Sequence, residues 1–163
     1  MASPIVCAIA MRATSEHVLQ RAVAIAQERE APLVLLHVLF TPSDTDYQAE
    51  PSGEDPPTRT TLWQGMVRKA QAQMQQYLAP LQRKGIEARS VFVDGITSVA
   101  IRECATSEGA QLIVLGKRPQ SRLKTLLFGC IADNVQQDGQ TPVEVVALNA
   151  PPGSSQNRSP SNK

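Results

Sequence analysis

The chain has 163 residues, of which 42% are hydrophobic and 19% are charged, a composition typical of one globular domain with a core of its own. The chain has 16 Lys and Arg against 15 Asp and Glu, which gives a net charge of +1. Most nucleic-acid-binding proteins are strongly basic, so this charge argues against nucleic-acid binding as the main activity. Aromatic residues make up only 4%, which leaves few side chains for base stacking.

The first half of the chain alternates apolar runs with amphipathic segments. Residues 5–11 and 33–40 are continuous apolar runs with β-branched residues, a pattern typical of strands that are buried on both faces. Between them, apolar residues recur at helical spacing until Pro32 ends the helix. Residues 41–60 are rich in Pro and acidic residues and lack periodicity, so they predict a long loop.

The second half continues the alternation of helices and strands. The pattern predicts a helix over about 61–84, a strand over 86–93, a helix over about 97–107, a strand over 111–116, a short helix over about 124–137 and a strand over 141–148. Residues 149–163 are rich in Pro, Ser and Asn and predict a disordered tail. The expected domain therefore covers residues 1–148.

Five strands that alternate with four helices predict an α/β fold, a parallel sheet with helices on both faces. In such doubly wound sheets, ligands bind at the carboxyl ends of the strands, where the strand order reverses. Ala10 follows the first apolar run and Gly116 ends the fourth strand. We therefore expect the loops after these two strands to build a site.

Cysteines and histidines give no metal or disulfide pattern. Cys7, Cys104 and Cys130 are too far apart for a zinc site or a disulfide framework, so we expect reduced, buried thiols. Cys130 has an alternative as a redox-sensing thiol, because it is expected near a helix N-terminus and several cations. His37 lies inside the second strand and is interpreted as a hydrogen-bonded strand-end histidine.

The sequence also carries expectations about location. No signal-peptide pattern is evident, and no apolar run is long enough to cross a bilayer. These features predict a cytoplasmic protein without a membrane partner.

Three segments carry a resemblance to a known family. The segment LIVLGKRPQSRLKTLLFGC at 112–130, the opening PIVCAIAM at 4–11 and the strand LLHV at 35–38 resemble the universal stress protein family. The resemblance covers about 1–40 and 86–148. It implies a Rossmann-like fold of the adenine nucleotide alpha hydrolase-like kind and a homodimer paired through the last strand.

Members of that family that bind ATP carry the phosphate motif Gly-x2-Gly-x9-Gly-Ser/Thr. Gly116 and Gly129 stand at its first and third glycines, whereas Pro119 stands at the second and Cys130 at the hydroxyl. Proline has no N–H to offer a phosphate, and a thiol is a weak hydrogen-bond donor. The resemblance therefore implies a degenerate phosphate site.

The resemblance implies two further site positions. Ala10 stands where the family places an Asp that serves the ribose, so that carboxylate is missing here. Val38 stands at the position whose backbone meets the adenine. We expect no cofactor, with weak or absent ATP binding, and keep ATP as the alternative.

A basic cluster, Lys117, Arg118, Arg122 and Lys124, surrounds the altered loop. It has three interpretations: a solvated loop, an altered site for an anion or nucleotide in which cations replace the glycine cradle, or a contact for an acidic macromolecule.

Three functions follow from these patterns. The first is a non-catalytic stress-response module that acts as a homodimer and through other proteins. The second is a nucleotide-binding family member with a basic phosphate loop. The third, a nucleotide-transforming enzyme, would need acidic metal ligands at strand ends, and Ala10 and Gly116 do not supply them.

The last predicted strand has the composition of a pairing edge. Residues 143–148 read VEVVAL and contain a single charged residue, Glu144. An apolar edge strand associates with another strand unless it is covered. The family resemblance implies antiparallel pairing of this strand with a second copy of the chain.

Overall fold

The computed structural model describes residues 2–11, 15–39, 59–117, 135 and 140–147. In chain order, the described elements are β1 (Ile5–Ala8), α1 (Ser15–Glu28), β2 (Leu33–Leu39), α2 (Arg59–Arg83), β3 (Ala88–Asp94), α3 (Thr97–Glu108), β4 (Leu112–Lys117) and β5 (Val143–Ala147). The strands form one sheet in the order β3-β2-β1-β4-β5, and every pair is parallel. The predicted five-stranded parallel α/β fold is confirmed.

Alternate residues of the central strands pack into two separate hydrophobic cores, one on each face of the sheet. Cys7 and Leu35 lie in the core under α1 and α2, whereas Val6 and Leu36 lie in the core under α3. The side chains of these four residues are completely buried. The continuous apolar runs are therefore explained by strands covered on both faces, as parallel sheets require.

The helices end through left-handed residues. Gly109 has φ of 61° and donates its N–H to the Thr106 carbonyl, which closes α3. At the end of α1 the same conformation falls on Glu30, with φ of 50°, and the Ala31 N–H bonds the Ala26 carbonyl at 2.9 Å. These turns direct each helix back toward the following strand.

Several strand boundaries differ from those predicted, and for two of them the backbone shows the reason. The strand expected over 5–11 ends at Ala8, because the chain turns away through Met11, whose φ is 54°. The strand expected over 86–93 begins at Ala88, because the Ile86 N–H still bonds the Leu81 carbonyl at the end of α2. A strand begins or ends where the backbone joins or leaves the hydrogen-bond ladder of the sheet. The apolar composition of a segment does not reveal that point.

The remaining predictions are only partly testable. The predicted fourth helix over 124–137 falls outside the described residues except at Val135, which is helical and completely buried in the core under α3. The loop 41–60, apart from its last two residues, and the tail 149–163 also lie outside the described residues. The domain limits stay a prediction. Within the described ranges, no helix is long and apolar enough to cross a membrane.

Candidate functional site

The strand order places the switch point between β1 and β4. β1 pairs with β2 on one side and with β4 on the other, and its last pair with β4 joins Cys7 to Val114. Ala10 and Gly116 both lie just beyond this pair, at the carboxyl edge of the sheet. The structure therefore brings the ends of the two predicted strands to the same place, where open α/β sheets bind ligands.

The end of β1 is held by β2 before it turns away. The Ile9 N–H donates to the Leu36 carbonyl at 2.8 Å, and the Ile9 carbonyl lies 2.7 Å from His37 Nδ1. Ala10 is then exposed, and Met11 adopts its left-handed conformation with its side chain packed against the core under α1 and α2. This turn sets the position of the loop that follows β1.

His37 is a side-chain donor in this arrangement. A carbonyl oxygen only accepts hydrogen bonds, so Nδ1 carries the proton that it shares with Ile9. The Phe92 ring meets the half-buried imidazole edge-on, with ring centroids 6.5 Å apart and planes at 75°. The interpretation of His37 as a hydrogen-bonded strand-end histidine is confirmed.

The backbone of Val38 continues the β2 series that faces β1. The Ile5 N–H bonds the Pro32 carbonyl at 2.9 Å, and Ile9 bonds Leu36, so even-numbered residues here direct their backbone groups toward β1. Val38 is the next member of this series. Among the described residues, no backbone hydrogen bond joins Val38 to Ile9. The Val38 N–H and C=O therefore face the space that β1 leaves when it turns.

No carboxylate lies on β1 at the position where the resemblance places one for a ribose. Ala10 presents only a methyl group at the exposed turn. Among the strand ends that the structure describes at this edge, the acidic residue is Asp94, at the end of β3 and paired in register with Leu39 of β2. β2 thus separates Asp94 from β1, so this carboxylate does not stand in for one at Ala10.

The segment that resembles the family's phosphate motif begins at the end of β4. Gly116 and Lys117 are its last residues, half-buried and paired in register with Val146 and Ala147 of β5. The other predicted site residues, Arg118, Pro119, Arg122, Gly129 and Cys130, lie outside the described residues. Their roles, and the roles of Ala10, Val38, Gly116 and Lys117 toward a ligand, stay predictions.

The described thiols are structural. Cys7 is completely buried, and burial raises its pKa to about 12. The pKa of Cys104 is raised by burial and, to a smaller degree, by the charge of Glu108. Both therefore stay protonated near neutral pH, and a protonated thiol is a poor nucleophile. No group of three or more metal-ligating side chains occurs in the part of the chain that the structure describes.

Sequence reasoning missed the connection between His37 and Ile9. It identified the histidine as structural but gave it no partner, because the two residues are 28 positions apart. The left-handed Met11 was also missed, since this conformation is uncommon for a residue other than glycine. The one available signal was the position of a polar ring inside an otherwise apolar strand.

Comparisons with known proteins agree on one family. The sequence profile described as the Universal stress protein family matches residues 1–147. Universal stress protein MJ0577 of Methanocaldococcus jannaschii is 28% identical over 81 residues, which cover 50% of each chain. Universal stress protein YxiE of Bacillus subtilis is 33% identical over 63 residues, which cover 39% of this chain and 43% of the relative. The chain thus matches about half the length of these curated relatives.

Solved structures share the fold at lower sequence identity. A universal stress protein in complex with cAMP superposes with a TM-score of 0.68 at 21% identity, over 90% of this chain and 98% of that one. The Archaeoglobus fulgidus universal stress protein in complex with dAMP superposes with a TM-score of 0.59 at 19% identity, over 88% and 97%. At these identities the similarity establishes the Rossmann-like α/β fold.

Proposed function

The chain belongs to the universal stress protein family, and we propose that it is a non-catalytic, cytoplasmic stress-response module that works as a homodimer with a degenerate nucleotide site. The observation that carries this proposal is the exposed methyl group of Ala10 at the switch point. A ribose bound there finds no carboxylate on β1 to accept its hydroxyl protons. Binding at this edge must then rely on backbone groups and cations.

The expected loss of affinity follows from the number of missing hydrogen bonds. Ala10, Pro119 and Cys130 each replace a residue that would bond the ligand. A buried hydrogen bond to a ligand contributes roughly 1–3 kcal/mol, so three losses weaken binding by about two to six decades. A micromolar ATP site would become negligible.

A second candidate function is nucleotide binding through an altered loop. Two observations favour it: relatives of the same fold were solved with cAMP and dAMP, and the Val38 backbone groups face the space beyond β1. In this alternative, Arg118 and Arg122 hold the phosphates as charges in place of the glycine cradle.

Calorimetry with Mg-ATP separates the two candidates. The degenerate site should show no binding tighter than about 100 μM, and Ala10→Asp should strengthen binding by about tenfold, because it returns one charged acceptor. Ala10→Asn is the matched control, since it adds similar volume without charge. Low-micromolar binding by the native chain would overturn the degenerate site, and Arg118→Ala with Arg122→Ala should then abolish that binding.

The proposed homodimer rests on the outer edge of β5. The Ile113 N–H bonds the Pro142 carbonyl at 2.9 Å, so Pro142, Glu144 and Val146 direct their backbone groups toward β4. Val143 and Val145 therefore direct theirs outward, at the edge of the sheet. Antiparallel pairing with the same strand of a second copy would satisfy these groups and close the assembly at two.

Two proline substitutions test this edge. Val145→Pro removes an outward N–H and should give a folded monomer, whereas Val146→Pro removes a bond to β4 and should lower the stability of the fold itself. Light scattering gives the mass, and circular dichroism monitors folding. A native chain that is monomeric at micromolar concentration would contradict the dimer.

A further inference from the structure

At the end of the β1–β2 ladder, a side chain takes the place of a backbone N–H as hydrogen-bond donor. In a regular parallel pair, the Val38 N–H would donate to the Ile9 carbonyl, one rung beyond the bond from Ile9 to Leu36. In this structure the imidazole of His37 donates to that carbonyl instead, at 2.7 Å. A side chain of β2 thus takes the acceptor that the β2 backbone would otherwise use.

We propose that His37 is a positioning residue that keeps the Val38 N–H and C=O available to the edge of an adenine base. The inference rests on the nucleotide site of the proposed function and specifies which half of it is retained. An N–H and a C=O that face the same side match a ligand edge with an acceptor beside a donor. Adenine carries such an edge at N7 and the N6 amino group.

Two contacts hold the imidazole in this role. Its Nδ1–H bonds Ile9, and the Phe92 ring, which the β2–β3 register places beside His37, packs against it edge-on. Nδ1 carries a proton in one neutral tautomer and in the imidazolium form, so either of these states donates to Ile9. The neutral tautomer protonated only at Nε2 would release the Ile9 carbonyl to Val38.

The geometry requires a donor at this position and not merely a ring. His37→Phe keeps an aromatic ring beside Phe92 but removes the donor, whereas His37→Asn keeps a short side-chain N–H donor. In the ligand-free protein, we expect the Val38 amide to exchange hydrogen about tenfold more slowly in His37→Phe, because Ile9 becomes its acceptor. His37→Asn should restore fast exchange, which a purely structural role for the ring would not predict.

Nuclear magnetic resonance on the full-length chain measures both the exchange and the tautomer of His37. Adenosine, which carries no phosphate, is the ligand probe, and its affinity should fall about tenfold in His37→Phe and recover in His37→Asn. Purine riboside, which lacks the N6 amino donor, is the control ligand and should bind more weakly than adenosine to the native chain. Circular dichroism confirms that both variants fold.

The outcomes separate this inference from the proposed function. A native His37 protonated only at Nε2, or a Val38 amide whose exchange is the same in the native chain and in His37→Phe, would overturn the role of His37 whatever the affinity for ATP. Absence of adenosine binding by the native chain would overturn the retained base edge. Tight ATP binding together with the expected exchange pattern would support His37 and overturn only the degenerate site.

Discussion

The two sides of the switch point differ in how strictly their ligand-facing groups depend on residue type. On the β2 side, the groups that face the space beyond β1 are the backbone N–H and C=O of Val38, beside the bond from His37 to Ile9. On the β4 side, the family resemblance requires a glycine N–H and a hydroxyl, and Pro119 and Cys130 stand at those two positions. Any residue except proline supplies the first pair of groups, whereas a single change removes either member of the second.

Packing constrains the central strands more strongly than the turn after β1. The central strands consist of apolar runs, because β1, β2 and β4 are buried between two cores. Packing does not constrain an exposed turn residue such as Ala10 in the same way. The position at which the resemblance places a ribose carboxylate is therefore open to substitution without loss of the fold.

The largest expected effect tests whether the ladder ends before Val38. Val34→Pro removes a buried N–H directed toward β1 and should lower the free energy of unfolding by about 2–4 kcal/mol, because a hydrogen bond is lost and a carbonyl is left unpaired. Val38→Pro removes an N–H of the same strand beyond the ladder and should cost less than about 1 kcal/mol. Urea denaturation measures both.

The two prolines form a matched pair, since each replaces a valine whose backbone faces β1. Equal losses of stability in Val34→Pro and Val38→Pro would show that the Val38 N–H has a partner inside the protein. The contrast between the two sides of the switch point would then fail.

A smaller effect tests the left-handed turn through which the chain leaves the sheet after β1. Met11 has φ of 54°, a conformation that costs a residue with a Cβ roughly 1–2 kcal/mol. Met11→Gly and Met11→Ala both remove the long side chain, so their difference isolates the backbone. We expect Met11→Gly to be the more stable variant by about 1 kcal/mol in urea denaturation.

The same pair of substitutions at an ordinary helical position gives the control. Glu16 lies exposed in the first turn of α1, where alanine should be the more stable replacement because glycine disfavours helix. If alanine were also the better residue at position 11, the turn after β1 would not depend on a left-handed backbone.

The smallest expected effect concerns the ion pair that joins α1 to β5, the strand beside β4. Arg21 of α1 donates two hydrogen bonds to the Glu144 carboxylate, at 2.7 and 2.9 Å. The hydrogen bond from Arg21 is the main cause that lowers the pKa of Glu144, with the charge of Arg21 adding to it against an opposing contribution from burial. A lowered pKa in the folded state stabilises the fold above the ordinary carboxyl value of 4.5, and this stability is lost as the pH falls through the folded pKa.

Denaturation of the native chain and of Glu144→Gln from pH 7 to pH 2 measures this contribution. The native chain should be slightly more stable near neutral pH, and the two should converge in acid and in high salt, because the pair is exposed. When Arg21→Gln is also present, the stability difference between Glu144 and Glu144→Gln should disappear at every pH. A difference that persisted there would assign the contribution of Glu144 to another contact.

Local sequence patterns were sufficient for the elements of the fold. Strands appeared as apolar runs with β-branched residues, α2 as a long stripe of apolar residues, and the end of α3 as Gly109. These signals are local, because the periodicity of a helix or strand and the conformation of a stop residue depend on near neighbours. The regular alternation of strands and helices then implied a parallel sheet, since parallel strands need crossover connections.

Only the tertiary structure determined which groups lie at the edge of the candidate site. The pairing of His37 with Ile9 spans 28 residues and that of Arg21 with Glu144 spans 123, so neither follows from local periodicity. The direction of the Val38 backbone groups depends on the register between β1 and β2, which the packing of both cores sets. Sequence determined which segments are strands and which residues stand at the positions of the family motif; register and the turn at Met11 determined which backbone groups face the space beyond β1.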